Sequence, residues 1–285
     1  MIYRTLISVD KLARHLEDPK WVIVDCRFSL ADMERGQRDY VQAHIPGAVY
    51  AHLDHDLSGP VIQGQTGRHP LPTVERATQV FSSWGIEPGV QVVAYDDAGG
   101  ALAAGRLWWM LRWLGHDEVA VLDGGWQRWL REGKPTTGGE ENRSSGMFVP
   151  NPRPQVIATT TEVRDLLGKR TACIVDARTV DRYRGENEII DPVAGHIPGA
   201  INLPYPENLT PTGVFRSPEE LRQMYLDFLG DHPPEQAIFY CGSGVTSIHN
   251  ILAMVHAGLP EPRLYAGSWS EWITDPARPV AAGEG

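Results

Sequence analysis

Four short segments of this chain occur twice, in the same order. Trp21-Val22-Ile23-Val24-Asp25-Cys26-Arg27 returns as Ala172-Cys173-Ile174-Val175-Asp176-Ala177-Arg178, and His44-Ile45-Pro46-Gly47-Ala48-Val49 as His196-Ile197-Pro198-Gly199-Ala200-Ile201. Gln91 to Asp96 returns as Gln236 to Cys241, and Val121 to Trp126 as Leu264 to Trp269. Corresponding positions lie 151, 152, 145 and 143 residues apart. Four segments at a nearly constant offset mean a duplicated domain. Each copy alternates short β-branched runs with helical stretches, the pattern of an α/β fold with a mainly parallel sheet flanked by helices. Thr159 with Glu162 and Ser217 with Glu220 are capping-box helix starts, Thr73 opens a helix toward Trp84, and Gly105 to Leu114 reads as another. From Gly133 onward the chain is rich in Gly, Pro and Ser. That composition marks residues 136–155 as a linker between domains at 1–135 and 156–285.

The copies differ where chemistry is concerned. The apolar run Ala237 to Tyr240 suits a buried strand, and Ile248 to His256 has helical apolar spacing. Between them stands Cys241-Gly242-Ser243-Gly244-Val245-Thr246-Ser247, a tight loop at a helix start. Gly242 and Gly244 permit backbone conformations that turn successive amides toward one point. The helix N-terminus adds free N–H groups and the positive end of its dipole. A sulfur there would be held as the thiolate. Taken alone, the loop also fits a cysteine that is merely a small buried hydrophobe. In the first copy Asp96 takes the cysteine's place, followed by Asp97-Ala98-Gly99-Gly100. With no sulfur and two carboxylates, that loop is expected to be catalytically silent. Ligands of α/β sheets sit beyond the carboxyl ends of strands, which is where Cys241 falls.

Composition narrows the partners. The 285 residues carry a net charge of −10 without a long basic run, which argues against nucleic acid or an anionic membrane surface. No apolar stretch approaches the roughly 20 residues of a membrane span. The first eight residues lack a secretory pattern and read as a short strand with Ser8 as an N-cap. Three cysteines, far apart and without Cys-x-x-Cys, form neither a disulfide framework nor a thiolate metal site. A reducing cytoplasm is the expected location, and no metal or organic cofactor is expected.

The paired Asp-x-Arg and His-Ile-Pro-Gly-Ala motifs, Gly-Gly-Trp-x-x-Trp, and a cysteine loop in the second copy alone resemble the rhodanese superfamily. Within it the chain is similar to the two-domain sulfurtransferases that act on thiosulfate or 3-mercaptopyruvate. The resemblance covers nearly the whole chain. It implies two tandem rhodanese-like domains, the N-terminal one inactive, and a persulfide intermediate on Cys241. A small-molecule donor would supply the sulfur, and a thiol, cyanide or a thioredoxin-like protein would accept it. In the thiosulfate enzymes cationic residues usually follow the cysteine. Here Gly242 and Ser243 match the mercaptopyruvate enzymes instead, and that donor is the expectation, with thiosulfate the alternative. A persulfide carrier without turnover is the rival from another class.

By the same resemblance, Ser243 matches a serine proposed to work near the cysteine, and His69 a histidine beside it. An accompanying aspartate falls on His52, with Asp54 two residues on. Arg182 matches the first of two substrate arginines and suits the donor's anionic end. The second falls near Asp191, so carboxylate binding by that residue is either lost or taken over by Arg184 or Arg68. The backbone of Gly242, Gly244, Val245 and Thr246 completes the expected binding loop, and the hydroxyls of Ser243 and Thr246 are candidate donors to sulfur or leaving group. Asp176, Arg178, His44 and His196 occur in both copies and are assigned to structure. His249 and Asn250 are expected in packing or at the surface, and the tryptophan-rich stretches in the cores. A cysteine phosphatase would need arginine six positions after the cysteine, where this chain has Ser247.

Overall fold

The apolar β-branched runs form parallel strands, and the carboxyl ends of those strands carry the loops that matter. The structure is a computed structural model that describes residues 2–169 and 173–284. Ala172, with which the second copy's first motif begins, lies outside the described residues. The chain divides into two units. The first comprises residues 1–59, 71–153 and 211–214, the second residues 60–70, 154–210 and 215–285.

The first unit holds β1 (Leu6–Ile7), β2 (Trp21–Asp25), β3 (Ala48–Tyr50), β4 (Gln91–Tyr95) and β5 (Val119–Leu122), in the order β1-β5-β4-β2-β3. The second holds β6 (Cys173–Asp176), β7 (Ile201–Asn202), β8 (Ala237–Tyr240) and β9 (Arg263–Leu264), in the order β7-β6-β8-β9. All these pairings are parallel. Beyond β1, the first order is the second read from the other end, so the duplication in sequence is a duplication in topology. Even β1 leaves a trace, as a single parallel bridge between Ile157 and Leu264.

Register places the motifs. Asp25 lies abreast of Tyr95, and Asp176 abreast of Tyr240, so each Asp-x-Arg loop emerges beside the loop that follows the central strand. Both motifs do the same scaffold work. Arg27 Nη2 donates to Asp25 at 2.6 Å and to the Ala43 carbonyl at 2.6 Å, and Arg178 Nη2 to Asp176 at 2.6 Å and the Gly195 carbonyl at 2.7 Å. The guanidiniums sit over Trp126 and Trp269, 4.4 and 4.9 Å from the ring centres. His44 and His196 each place Nδ1 on a tyrosine carbonyl and stack on that tyrosine's ring. Because both copies share this arrangement and one lacks the cysteine, it is structural. Removing one member of such a buried pair costs about 3–5 kcal/mol.

Helices follow their local signals. Thr159 and Ser217 complete reciprocal capping boxes, opening helices Thr160–Leu166 and Pro218–Leu229, and Thr73 caps Val74–Ser83. Ser8 occupies an N-cap position but makes no side-chain capping bond. The tryptophan-bearing helix spans Ala103–Trp113, and Trp126, Trp129, Trp269 and Trp272 are buried in the two cores. Residues 136–153 are fastened to the first unit. Thr137 pairs with His44, the Asn151 amide donates to the Leu114 carbonyl, and Phe148 meets Phe81 edge-on at 5.2 Å. Gly, Pro and Ser signal a lack of regular structure, and irregular chain can still pack.

One repeat position departs from its twin. Gly125 has φ +53°, and a Cβ there would lie 2.3 Å from the Asp96 carbonyl oxygen. Its counterpart Ser268 has φ +54°, yet carries a side chain. The Ser268 hydroxyl accepts from the Cys241 amide at 3.1 Å and donates to the Tyr265 carbonyl at 2.9 Å. A left-handed non-glycine residue costs about 1–2 kcal/mol, which this buried bond to Cys241 offsets. Ser268→Ala loses the bond and keeps the strain, whereas Ser268→Gly loses the bond and relieves it. In chemical denaturation Ser268→Gly should therefore exceed Ser268→Ala in stability by about 1 kcal/mol. Equal midpoints would show that the positive φ stores no strain.

Candidate functional site

The peptide after β8 turns so that its amides converge on one sulfur. Cys241 follows Tyr240 directly and is 2% exposed. Burial alone pushes its thiol up, but the amides of Ser243, Ser247 and Val245 and the nearby Ser247 hydroxyl favour the thiolate. Together they bring it below the ordinary cysteine range. Cys26 is driven well above that range by burial and by Asp25, and burial alone takes Cys173 to about 11. Cys241 is thus the one of the three prepared as a nucleophile.

The two loop glycines serve different ends. Gly244 has φ +72°, and a Cβ there would lie 2.1 Å from the Ala266 carbonyl oxygen. Gly242 does not adopt a positive φ. Its Cβ would instead meet Arg68 Nη2 at 2.8 Å and Arg182 Nη2 at 3.5 Å, so this glycine opens space for two guanidiniums beside the cysteine. The loop is tied to the next one through Cys241 and Gly242, whose carbonyls accept from the amides of Trp269 at 3.0 Å and Ser270 at 2.9 Å. Helix Ser247–His256 then leads away from the sulfur.

The first copy shows what this loop geometry is for. Asp96, standing in for Cys241, accepts from the amides of Ala98 (2.9 Å), Gly100 (2.8 Å), Leu102 (3.1 Å) and Ala104 (3.3 Å). The donors at two, four and six residues onward are those that face Cys241 in the second copy. One cradle is filled by its own carboxylate, the other by a sulfur that can react.

Residues 60–70 bring two further side chains into the second unit. His69 is 4% exposed, with Nδ1 2.7 Å from the Ser243 hydroxyl. The Arg68 amide donates to the Ser270 hydroxyl at 3.1 Å, and a Cβ on Gly67 would lie 2.6 Å from the Gly267 carbonyl. The strap is therefore seated firmly. Arg68 also pairs with Asp191. Arg182 donates to Glu188 at 3.0 Å and to Asp191 at 3.0 Å. Of the two candidates for a second arginine, Arg68 is the one beside Gly242. Arg184 turns away to Glu284, at 2.7 Å.

Other expected residues fall outside this constellation. Thr246 begins the helix without a side-chain capping bond. His52 belongs to the first unit, where its Nδ1 caps helix Leu53–Asp56 by accepting from the amides of Asp54 and His55. His52, Glu34 and His55 lie close enough to share an ion, but His52 Nε2 faces the Met33 carbonyl at 3.2 Å, so both its nitrogens are committed. His249 and Asn250 are fully buried, which excludes the surface placement allowed by their sequence context. Asn208 donates to both, and Tyr225 donates to Asn208 at 2.7 Å, so a closed polar network backs the helix behind the cysteine. Sequence reasoning placed Ser247 at the end of the cysteine loop, among the backbone amides that lower the thiol, and gave its side chain no role. Its buried hydroxyl has no partner at hydrogen-bond geometry among the described residues, and it is one of the groups that lower the thiol. The position six after the cysteine was the available signal, because the matching Leu102 amide serves Asp96. Among the described residues no helix is long and apolar enough to cross a membrane.

Comparison with known proteins agrees with this geometry. The chain is 47% identical over 280 residues to a "Probable 3-mercaptopyruvate sulfurtransferase" of Pseudomonas aeruginosa, covering 98% of each. It is 32% identical to a thiosulfate sulfurtransferase of Mus musculus, over 96% of this chain and 93% of that one. The solved 3-mercaptopyruvate sulfurtransferase from Leishmania major superposes with a TM-score of 0.84 at 34% identity, covering 94% of this chain and 74% of that one. The rhodanese-like domain model matches twice, over residues 8–132 and 159–275. The chain belongs to the rhodanese-like family, as a tandem pair of its domains.

Proposed function

We propose that the protein transfers a sulfane sulfur from 3-mercaptopyruvate to a thiol or to cyanide through a persulfide on Cys241. The observation that carries this reading is the lowered Cys241 thiol at converging amides, in a chain whose other two cysteine thiols burial pushes up. In the first half-reaction the thiolate attacks the donor sulfur. The electron pair of the donor's C–S bond leaves with the pyruvate enolate, which takes up a proton. The His69–Ser243 pair, 2.7 Å apart, stands where that proton can be relayed. Arg182 and Arg68 beside Gly242 offer the donor carboxylate its counter-charge. In the second half-reaction the acceptor attacks the outer sulfur and Cys241 leaves as thiolate, a ping-pong scheme. The N-terminal domain, with Asp96 in its cradle, takes no part in the chemistry. A thioredoxin-like protein acceptor and a cytoplasmic location complete the reading.

The guanidinium pair also supports a second donor, thiosulfate, by the same mechanism. Thiocyanate formation with each donor separates the two. A kcat/KM advantage of about tenfold for 3-mercaptopyruvate, about 1.4 kcal/mol of transition-state preference, supports the first reading, and the reverse ratio the second. If neither donor reacts, a carrier without turnover replaces both. Ser243→Lys, which adds a cation beside the cysteine, should move the ratio toward thiosulfate. An unchanged ratio would count against loop charge as the selector.

Cys241→Ser should fold normally and transfer no sulfur, because serine cannot hold a persulfide; retained turnover would sink the mechanism. Thiolate absorbance gives a second check. The difference between wild type and Cys241→Ser should show a step below the ordinary cysteine range. Because ionisation is favoured in the fold, the reactive form is lost only as pH falls through that lowered value. A step at or above the ordinary range would refute the amide account.

A further inference from the structure

Asp191 touches both guanidiniums beside Gly242. One of its carboxylate oxygens accepts from Arg68 and the other from Arg182 Nη2 at 3.0 Å. Behind them Glu188 accepts from Arg182 Nε at 3.0 Å and Arg178 Nη1 at 3.4 Å, and Asp176 holds Arg178 at 2.6 Å. Three guanidiniums therefore face three carboxylates, and the cluster is neutral as built. The carboxylates lie beneath the cations. The Asp191 side chain is 1% exposed, against 28% for Arg68 and 17% for Arg182. Arg68 Nε is buried without a hydrogen-bond partner among the described residues, so its donor capacity is not exhausted by Asp191.

We infer that Asp191 selects the donor by charge, lending its carboxylate to Arg68 and Arg182 and so limiting the positive charge they present beside Cys241. With Asp191 ionised an arriving anion meets a neutral cluster, and without that carboxylate the same guanidiniums present one net positive charge. Removing the resident charge strengthens attraction about twice as much for a dianion as for a monoanion at the same distance. Asp191 thus disfavours thiosulfate relative to 3-mercaptopyruvate, whose carboxylate carries a single charge. Burial, with Glu188 nearby, pushes the Asp191 carboxyl up against the pull of both arginines, so its charge is held at a cost to the fold. Only the identity of the two donors rests on the sulfur-transfer reading.

The test replaces Asp191 with Asn and, in parallel, with the smaller neutral Ser, so that misfolding of one replacement decides nothing. Asp191→Glu is the charge-retaining control. In a folded neutral variant the thiosulfate to 3-mercaptopyruvate ratio of kcat/KM should rise by about tenfold or more, mainly through a lower KM for thiosulfate. Asp191→Glu should stay near wild type. Protection of Cys241 against iodoacetamide by sulfate, an inert dianion, and by acetate, an inert monoanion, reads the same site without turnover. Sulfate should protect the neutral variants at about a tenth of the wild-type concentration, with a smaller change for acetate. Unchanged protection and an unchanged donor ratio would overturn the proposal, as would equal gains for both anions. If neither donor turns over in wild type, the sulfur-transfer reading fails while the protection experiment still decides the role of Asp191.

Discussion

A ring of backbone amides at the carboxyl end of each central strand demands an anion at its centre, and both halves of this protein are built around meeting that demand. Unfilled, such a ring would leave several buried N–H groups without partners, each costing about 1–3 kcal/mol. The first copy satisfies it permanently with the Asp96 carboxylate. The second satisfies it with sulfur, and the energy that orders the loop is the same energy that lowers the Cys241 thiol. Stability and reactivity come from one set of donors. The cost is visible nearby in Ser268, held at a positive φ where the first copy uses glycine.

Around that centre the second unit arranges charge with restraint. Arg68 and Arg182 stand against Gly242, yet both are tethered by carboxylates, and His69 reaches Ser243 from the same strap that carries Arg68. The guanidiniums add attraction at the edge of the site. The N-terminal unit repeats the Asp-x-Arg, histidine and tryptophan scaffold with nearly the same distances, which separates what the fold needs from what the reaction uses.

Much of this was legible because it is local or repeated. The duplicated segments revealed the parallel architecture, and the capping boxes at Thr159 and Ser217 announced their helices within four residues. Cys241 stood out because its twin is an aspartate. What stayed hidden depends on contacts distant in sequence. Gly244 is required by the Ala266 carbonyl, 22 positions on, as much as by its own φ. Arg68 stands beside Gly242 because residues 60–70 join the second unit, and Arg184, nearer in sequence to Arg182, leaves for Glu284. His249 and Asn250 look like ordinary polar helix positions until Asn208 and Tyr225 close a buried network around them.

The most direct measurement is the fate of the donor sulfur in the absence of an acceptor. The protein would be incubated with 3-mercaptopyruvate, digested without reductant, and its peptides weighed. One added sulfur atom on the peptide carrying Cys241, none on those carrying Cys26 or Cys173, and one pyruvate released per chain are the predicted result. Pyruvate released without sulfur on Cys241, or sulfur lodged on another cysteine, would contradict the account.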